Sequence, residues 1–376
     1  MRTTVFLTAG LTVLALTAGL TGVQAQAAPA KKDTVQQTLD ALVSDDDFPG
    51  TLAAVRDAKG RTRDYTAGVS DLKSGDKVPV NGRVRIASNT KMFTATVVLQ
   101  LVGEGKISLD APVDTYLPGL LRGDGIDGRE ITVRHLLQHT SGLVDYDDKF
   151  LAGGYPAVQH RHFEPRELVD AVLAEKALWA PGTKFSYSNA NYVLAGLIVQ
   201  KVTGRPIGEE ITRRVIRKLG LGDTYWPSLG DQTIHGPHPH GYFPTGAEPA
   251  DVTEQDPSMG WAAGQLVGTP RDLNTFMTAL LDGKLLKPAQ LAEMQKTVPA
   301  PDFDLTGDAT YGLGLGTFKL SCGGVAWTHG GDAPGYVTRN AVTEDGKAAT
   351  IVVTSNAASL EAAQDVEQAL DTALCR

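Results

Sequence analysis

Beyond residue 20 the chain has no long apolar run, and nothing later approaches the about 20 consecutive apolar residues that a membrane-crossing helix needs. The one such stretch, over 5–20, follows Arg2 and precedes small-residue sites at 23–25 and 28–30. That order marks a secretory signal peptide over residues 1–30 rather than a stable membrane anchor, so the mature protein is expected outside the cell. An excess of positive charge is also missing. Lys and Arg number 35 against 43 Asp and Glu, a formal charge of −8 that loss of Arg2 takes to about −9, which excludes the footprint of a nucleic-acid binder.

Cysteine is scarce. Cys322 and Cys375 are the pair present, and neither has the spacing of a metal site or a redox motif. In an exported chain an even pair points to a disulfide. It would close a loop of about 54 residues, add about 4 kcal/mol, and staple the C-terminal helix to a preceding strand. No Gly-rich phosphate loop follows a strand, so no nucleotide and no cofactor are expected. His235, His238 and His240 alternate with Gly and Pro without Cys or carboxylate companions, and His160 and His162 stand apart from them. They read as surface histidines, and no metal is expected.

What the chain does hold is apolar material, 42% of residues against 21% charged, spread over about 345 mature residues. That is more than one hydrophobic core usually serves, so two lobes are expected. Apolar residues recur at helical spacing over 34–43 and 360–374, whereas 51–55, 63–69, 336–342 and 348–354 read as strands. The two chain ends thus make an α/β lobe from 34–86 and 265–376. Helical periodicity over 92–102, 133–137, 167–174 and 192–202, and again at 273–281, marks a helical lobe inserted at 87–264. The expected class is α/β plus all-α: an antiparallel sheet flanked by terminal helices, with a helical insert. Residues 231–257, rich in Pro, Gly and His, read as a long surface loop. Arg213, Arg214, Arg217 and Lys218 read as a solvated helix face, and a monomer is expected.

Ser-x-x-Lys occurs three times, at Ser70/Lys73, Ser74/Lys77 and Ser88/Lys91. The first two lie in a polar, Gly-containing turn; the third opens the apolar helix over 92–102, where residues three apart share a face. A serine hydroxyl needs a neighbouring base, and a lysine can be one only when burial or another cation lowers its pKa. The helix N-terminus adds backbone donors beside the alkoxide. Tyr187-Ser188-Asn189 is the one Tyr-x-Asn in the chain, and His329-Gly330-Gly331 the one His-x-Gly.

This ordered set resembles the penicillin-recognising serine hydrolases, the β-lactamase-like group of class C β-lactamases, D-alanyl-D-alanine carboxypeptidases and related esterases and D-amino-acid peptidases. The likeness runs from about Thr34 to Cys375 and takes in Leu136-Leu137-Gln138-His139-Thr140-Ser141-Gly142-Leu143 and Pro181-Gly182-Thr183. It implies a β-lactamase/transpeptidase-like fold with the active site between the lobes. By the same resemblance Ser88 attacks the carbonyl, Lys91 and Tyr187 carry the proton to the leaving amine, and Asn189 holds the substrate amide. The amides of Ser88 and Asp332 would form the oxyanion hole. A phenolate at Tyr187 would need nearby cations, for which Lys91 and His329 are the candidates. Gly330 and Gly331 would leave the strand edge bare for an extended substrate. Trp261 would wall the pocket.

The C-terminal segment, with Tyr311-Gly312-Leu313-Gly314-Leu315, is most similar to secreted D-alanyl-D-alanine carboxypeptidases. That makes a serine-type carboxypeptidase the expected activity, on small peptide, amide or ester substrates, with β-lactams as candidate ligands. Three positions depart from that pattern. Gly330 and Asp332 stand where those enzymes carry hydroxyl residues, and Gly316 stands where an arginine would clasp the terminal carboxylate. An acidic side chain repels a carboxylate, unless Lys319 or Arg339 compensates. The alternatives are a β-lactamase-related esterase, a D-amino-acid amidase or aminopeptidase, and a penicillin-binding sensor that does not turn over.

Overall fold

The strands from the two ends of the chain turn alternate side chains toward two covered faces, and this sets the order of layers. In Ala348–Val353, Ala349, Ile351 and Val353 join the apolar cluster beneath the terminal helices, whereas Ala348 and Val352 join the cluster shared with the middle of the chain. Both faces are buried, so the strand reads as almost wholly apolar. The computed structural model describes residues 33–246 and 248–375; the expected signal peptide lies outside them. Among the described residues no helix is long and apolar enough to cross a membrane.

Nine strands form one antiparallel sheet among the described residues, in the spatial order Thr62–Gly68, Gly50–Arg56, Ala348–Val353, Tyr336–Thr343, Val325–Thr328, Gly316–Lys319, Thr310–Tyr311, Val298–Pro299. The ninth, Gly331–Ala333, pairs with Tyr336–Thr343. Helices Thr34–Ser44 and Leu360–Leu374 pack on one face. Their starts are capped by the side chains of Asp33 and Ser359, which satisfy backbone N–H groups that have no partner within the helix. Pro270–Leu281 lies on the other face, begun by the Thr269 cap with Pro270 in the first turn. The segment Asp33–Arg376 forms one compact unit, in which the expected sheet and helical portions are continuous.

From the middle of the chain come Val133–Leu137, Pro165–Leu173, Asn189–Thr203 and, at the centre, Thr90–Gly103. That last helix has no polar face: Met92, Phe93, Ala95, Val97, Val98, Leu99 and Leu101 are all fully buried. A helix that is apolar all round belongs inside a core, and it carries whatever sits on its first turn in with it. Residues 231–257 are a long connection, with one short pairing of Tyr242–Phe243 to Ala250–Asp251.

A disulfide joins Cys322, in the turn between two sheet strands, to Cys375, just past the C-terminal helix, as the even pair led us to expect. It closes a loop across 53 positions of sequence. Replacing both cysteines with serine is expected to lower the unfolding free energy by about 3–4 kcal/mol in urea titrations. An unchanged midpoint would mean that packing alone holds the helix.

Candidate active site

Ser88 lies in the short turn Ala87–Asn89 that leads directly into Thr90–Gly103. It does not cap that helix: no side chain makes the cap bond there. Ala87 has a φ of 45°, in the left-handed region, which costs a non-glycine residue about 1–2 kcal/mol. The turn is held by Asn89, whose backbone N–H and Nδ2 both donate to Ile86 O, at 3.1 and 2.8 Å. One turn on, Lys91 is fully buried, with Nζ 2.8 Å from Ser88 Oγ, 2.7 Å from Asn189 Oδ1 and 3.0 Å from Ala263 O.

Burial pushes the Lys91 amine down to about 7, against the pull of Asp145 and Asp147. The three contacts suit the neutral form. Two N–H bonds point at acceptors that have no proton to give, and the lone pair is left for the Ser88 hydroxyl. Lys91 is thus a base in waiting near neutral pH.

Tyr187 is half-buried in the cleft wall, its ring stacked on His139 at 4.3 Å and its face 4.8 Å from Lys91 Nζ. Its surroundings push the phenol well above its ordinary pKa, even though a hydrogen bond with Ser88 pulls the other way. The expectation that His329 would supply a cation for a phenolate fails on burial. His329 is 1% exposed and held neutral, pushed down to about 3, with Nε2 facing the Tyr311 hydroxyl at 3.0 Å. Tyr187 therefore keeps its proton at neutral pH, and Lys91 is the group able to take one.

The 139–147 segment, of which 139–143 lies in the run that carries the family resemblance, supports this wall. Ser188 N–H donates to His139 Nδ1 at 3.1 Å, Ser188 Oγ to Val144 O at 2.8 Å, and Asn189 N–H to Asp145 Oδ2 at 3.1 Å. Asn189 uses both ends of its amide: Oδ1 accepts from Lys91, and Nδ2 donates to Asp145 and Asp147 at 3.1 and 2.9 Å. It thus holds Lys91 in place, and it also lines the cleft beside Ser88, where a substrate amide was expected to meet it.

Across the cleft, the sheet meets the nucleophile turn at Gly331. A Cβ there would stand 2.3 Å from Ile86 O and 2.6 Å from Asn89 Nδ2, so close approach to the Ser88 turn demands glycine. Gly330 instead faces the cleft, the role expected of both. Asn340 closes the seam: its Nδ2 donates to Asn89 Oδ1 and, at 2.8 Å, to His329 O. Asp332 is exposed beside the cleft and accepts from Arg339 Nη1 at 3.0 Å, while Arg339 Nε donates to Glu367 at 2.6 Å.

The cleft, of about 430 Å³, is lined by Ser88, Tyr187, Asn189 and His329, and by six carboxylates: Asp145, Asp147, Asp302, Asp304, Asp332 and Glu367. Arg339 is the one cation in that lining. Asp145 and Asp147 both have raised pKa values, from burial first and, for Asp147, from its neighbour's charge. On the other side Ser88 borders a smaller hollow of about 100 Å³ with Tyr146, Tyr155, Val158 and Met259. Trp261 is not on either wall. Its ring packs against Gly196, and it borders a neighbouring groove with Phe163 and Trp226. Asp145 and Asp147 were not singled out from sequence, since nothing local separates them from acids in an ordinary loop, and His139 was met only within the run that carries the resemblance, without a role.

A serine, a desolvated lysine and a protonated tyrosine converge at one cleft edge, an arrangement able to activate the hydroxyl for attack on an acyl carbon. The family model for Beta-lactamase matches residues 35–374, and the chain belongs to that family. It is similar to penicillin-binding protein 4 of Amycolatopsis lactamdurans, 29% identical over 66% of this chain and 63% of that protein, so the chain spans under two thirds of that relative. Among solved structures, a D-stereospecific amidohydrolase from Streptomyces sp. superposes with a TM-score of 0.81 at 38% identity, covering 89% of this chain and 97% of the other. The D-amino acid amidase of Ochrobactrum anthropi SV3 gives 0.78 at 28%, covering 90% and 96%.

With Lys91 as base, kcat/KM for an ester without ionisable groups is expected to fall about tenfold per pH unit below about 7, where the amine gains a proton and loses its lone pair. A profile flat down to pH 5 would remove Lys91 from the role. Ser88→Ala is expected to prevent any covalent acyl adduct by mass spectrometry.

Proposed function

We propose that the protein is an exported amidohydrolase acting on D-configured aminoacyl amides and peptides with a free ammonium, through an acyl-enzyme on Ser88. One observation carries this reading: the cleft presents six carboxylates and a single guanidinium, which Asp332 and Glu367 already engage. A substrate ammonium is drawn to such a lining, and a substrate carboxylate is repelled. The carboxypeptidase reading loses support at the same place. Gly316, where an arginine would clasp a terminal carboxylate, has no room for a side chain, since a Cβ would stand 2.3 Å from the Phe303 ring. Arg339 is taken up by Asp332 and Glu367, and Lys319 is a solvent-exposed side chain outside the lining of this cleft. The D configuration rests on the similarity to the two amidohydrolases.

In this mechanism Ser88 Oγ bonds to the amide carbon while its proton passes to Lys91 Nζ, and the oxyanion lies between the amides of Ser88 and Asp332. The C–N bond then breaks as the leaving nitrogen takes the proton of Tyr187, which recovers one from the Lys91 ammonium. Water next adds to the acyl carbon, giving its proton back through Lys91. Release of the carboxylic acid restores the Ser88 hydroxyl. The α-ammonium of the acyl residue lies against Asp147, which borders both hollows beside Ser88.

D-aminoacyl amides, D-Ala-D-Ala peptides and short acyl esters, assayed side by side, test the reading. Turnover of the amides is expected to exceed that of the carboxylate-ending peptides by about a hundredfold; the reverse order would restore the carboxypeptidase, and ester turnover alone an esterase. Asp147→Asn is expected to raise KM for amine-bearing amides about tenfold and leave KM for neutral esters nearly unchanged. Equal effects on both substrates would deny the carboxylate its partner.

A further inference from the structure

The catalytic cleft does not end at the reacting groups. Past Leu305 and Phe318 it continues into a second trough, also of about 430 Å³, and the two share Asp304, Leu305, Phe318 and Glu367 as lining. The floor of this trough is apolar, made by Leu305, Phe318 and Leu320. Leu305 is 45% exposed, one of the few large apolar side chains that face solvent among the described residues. The far wall is the Leu360–Leu374 helix, through Gln364, Gln368 and Asp371.

That wall is fixed. Asp371 accepts from Ser321 N–H at 2.8 Å and from the Ser321 hydroxyl, and next to both the Cys322–Cys375 bond ties the strand turn to the helix end. An apolar floor beside an anchored helix wall is a preformed site rather than a surface irregularity.

Position relative to Tyr187 says which part of a substrate reaches it. Tyr187, the proton donor to the leaving nitrogen, borders the large cleft and not the smaller hollow across Ser88. The trough therefore extends the leaving-group side. Its charges narrow the occupant further: Asp304, Glu367 and Asp371 border it, and its one cation, Lys319, pairs with Asp308 at 3.5 Å. A carboxylate at this end would meet three acids against one solvent-exposed lysine.

We propose that the trough is a leaving-group subsite for an apolar side chain beyond the scissile amide, on a segment that carries no carboxylate there. The enzyme would then favour peptide-like amides with an apolar residue after the cleaved bond over amides that release ammonia. This inference rests on the amidohydrolase reading and specifies its substrate.

The test compares D-phenylalaninamide with D-phenylalanyl-D-leucinamide, which share an acyl group and differ in what departs. The wild type is expected to show a kcat/KM for the dipeptide amide about tenfold or more above that for the simple amide, the effect of burying one leucine-sized group. Leu305→Asp, which puts a charge on the floor, and Gln368→Trp, which fills the trough from the helix, should each bring that ratio close to one. Both positions are exposed, so neither change disturbs the core. A ratio near one in the wild type, or one that survives both substitutions, overturns the subsite while leaving the amidohydrolase intact. Cleavage of neither amide overturns both.

Discussion

The structure turns on one contact: the amine of Lys91, shut away from water, lies 2.8 Å from the hydroxyl of Ser88. A charged ammonium in that position would lack solvation, so burial holds the amine near 7 and leaves its lone pair free to activate the hydroxyl. Everything around it keeps this arrangement in place. The helix that carries Lys91 is apolar on all sides and so sits at the centre of the core. Asn189 and the Ala263 carbonyl take up the amine's remaining hydrogens, and Asp145 and Asp147 take up the other end of Asn189.

Those two aspartates act on the amine and on the cleft at once. They oppose the loss of charge on Lys91, and they add to the acidic lining on which the proposed recognition of a substrate ammonium rests. Arg339, the one guanidinium in the lining, balances Asp332 and Glu367 and so leaves the cleft acidic. The sheet side is matched to the helical side through Asn89, Asn340 and Gly331, whose close approach sets the spacing between nucleophile and oxyanion strand.

Much of this was legible in advance. The strands over 348–354 and the helix over 360–374 announce themselves because periodicity follows directly from which faces are buried. Ser88, Lys91 and Tyr187 could be named because short motifs in a set order resemble a known family. The cysteine pair could be matched because no other partner exists. The role of His329 was not legible: the residue was placed at the pocket, but its charge depends on how completely neighbouring chains exclude water. Nor was the place of Trp261 legible: it borders a neighbouring groove, packed against Gly196, an arrangement set by contacts distant in sequence.

By itself the sequence determined the fold class and pointed to Ser88, Lys91 and Tyr187, because these depend on local periodicity and on residues close together in the chain or tied by motif. Only the tertiary structure decided the charge of the cleft. Asp145, Asp147, Asp302, Asp332 and Glu367 are scattered over more than half the chain, and the field they make together arises only when folding brings them around one serine.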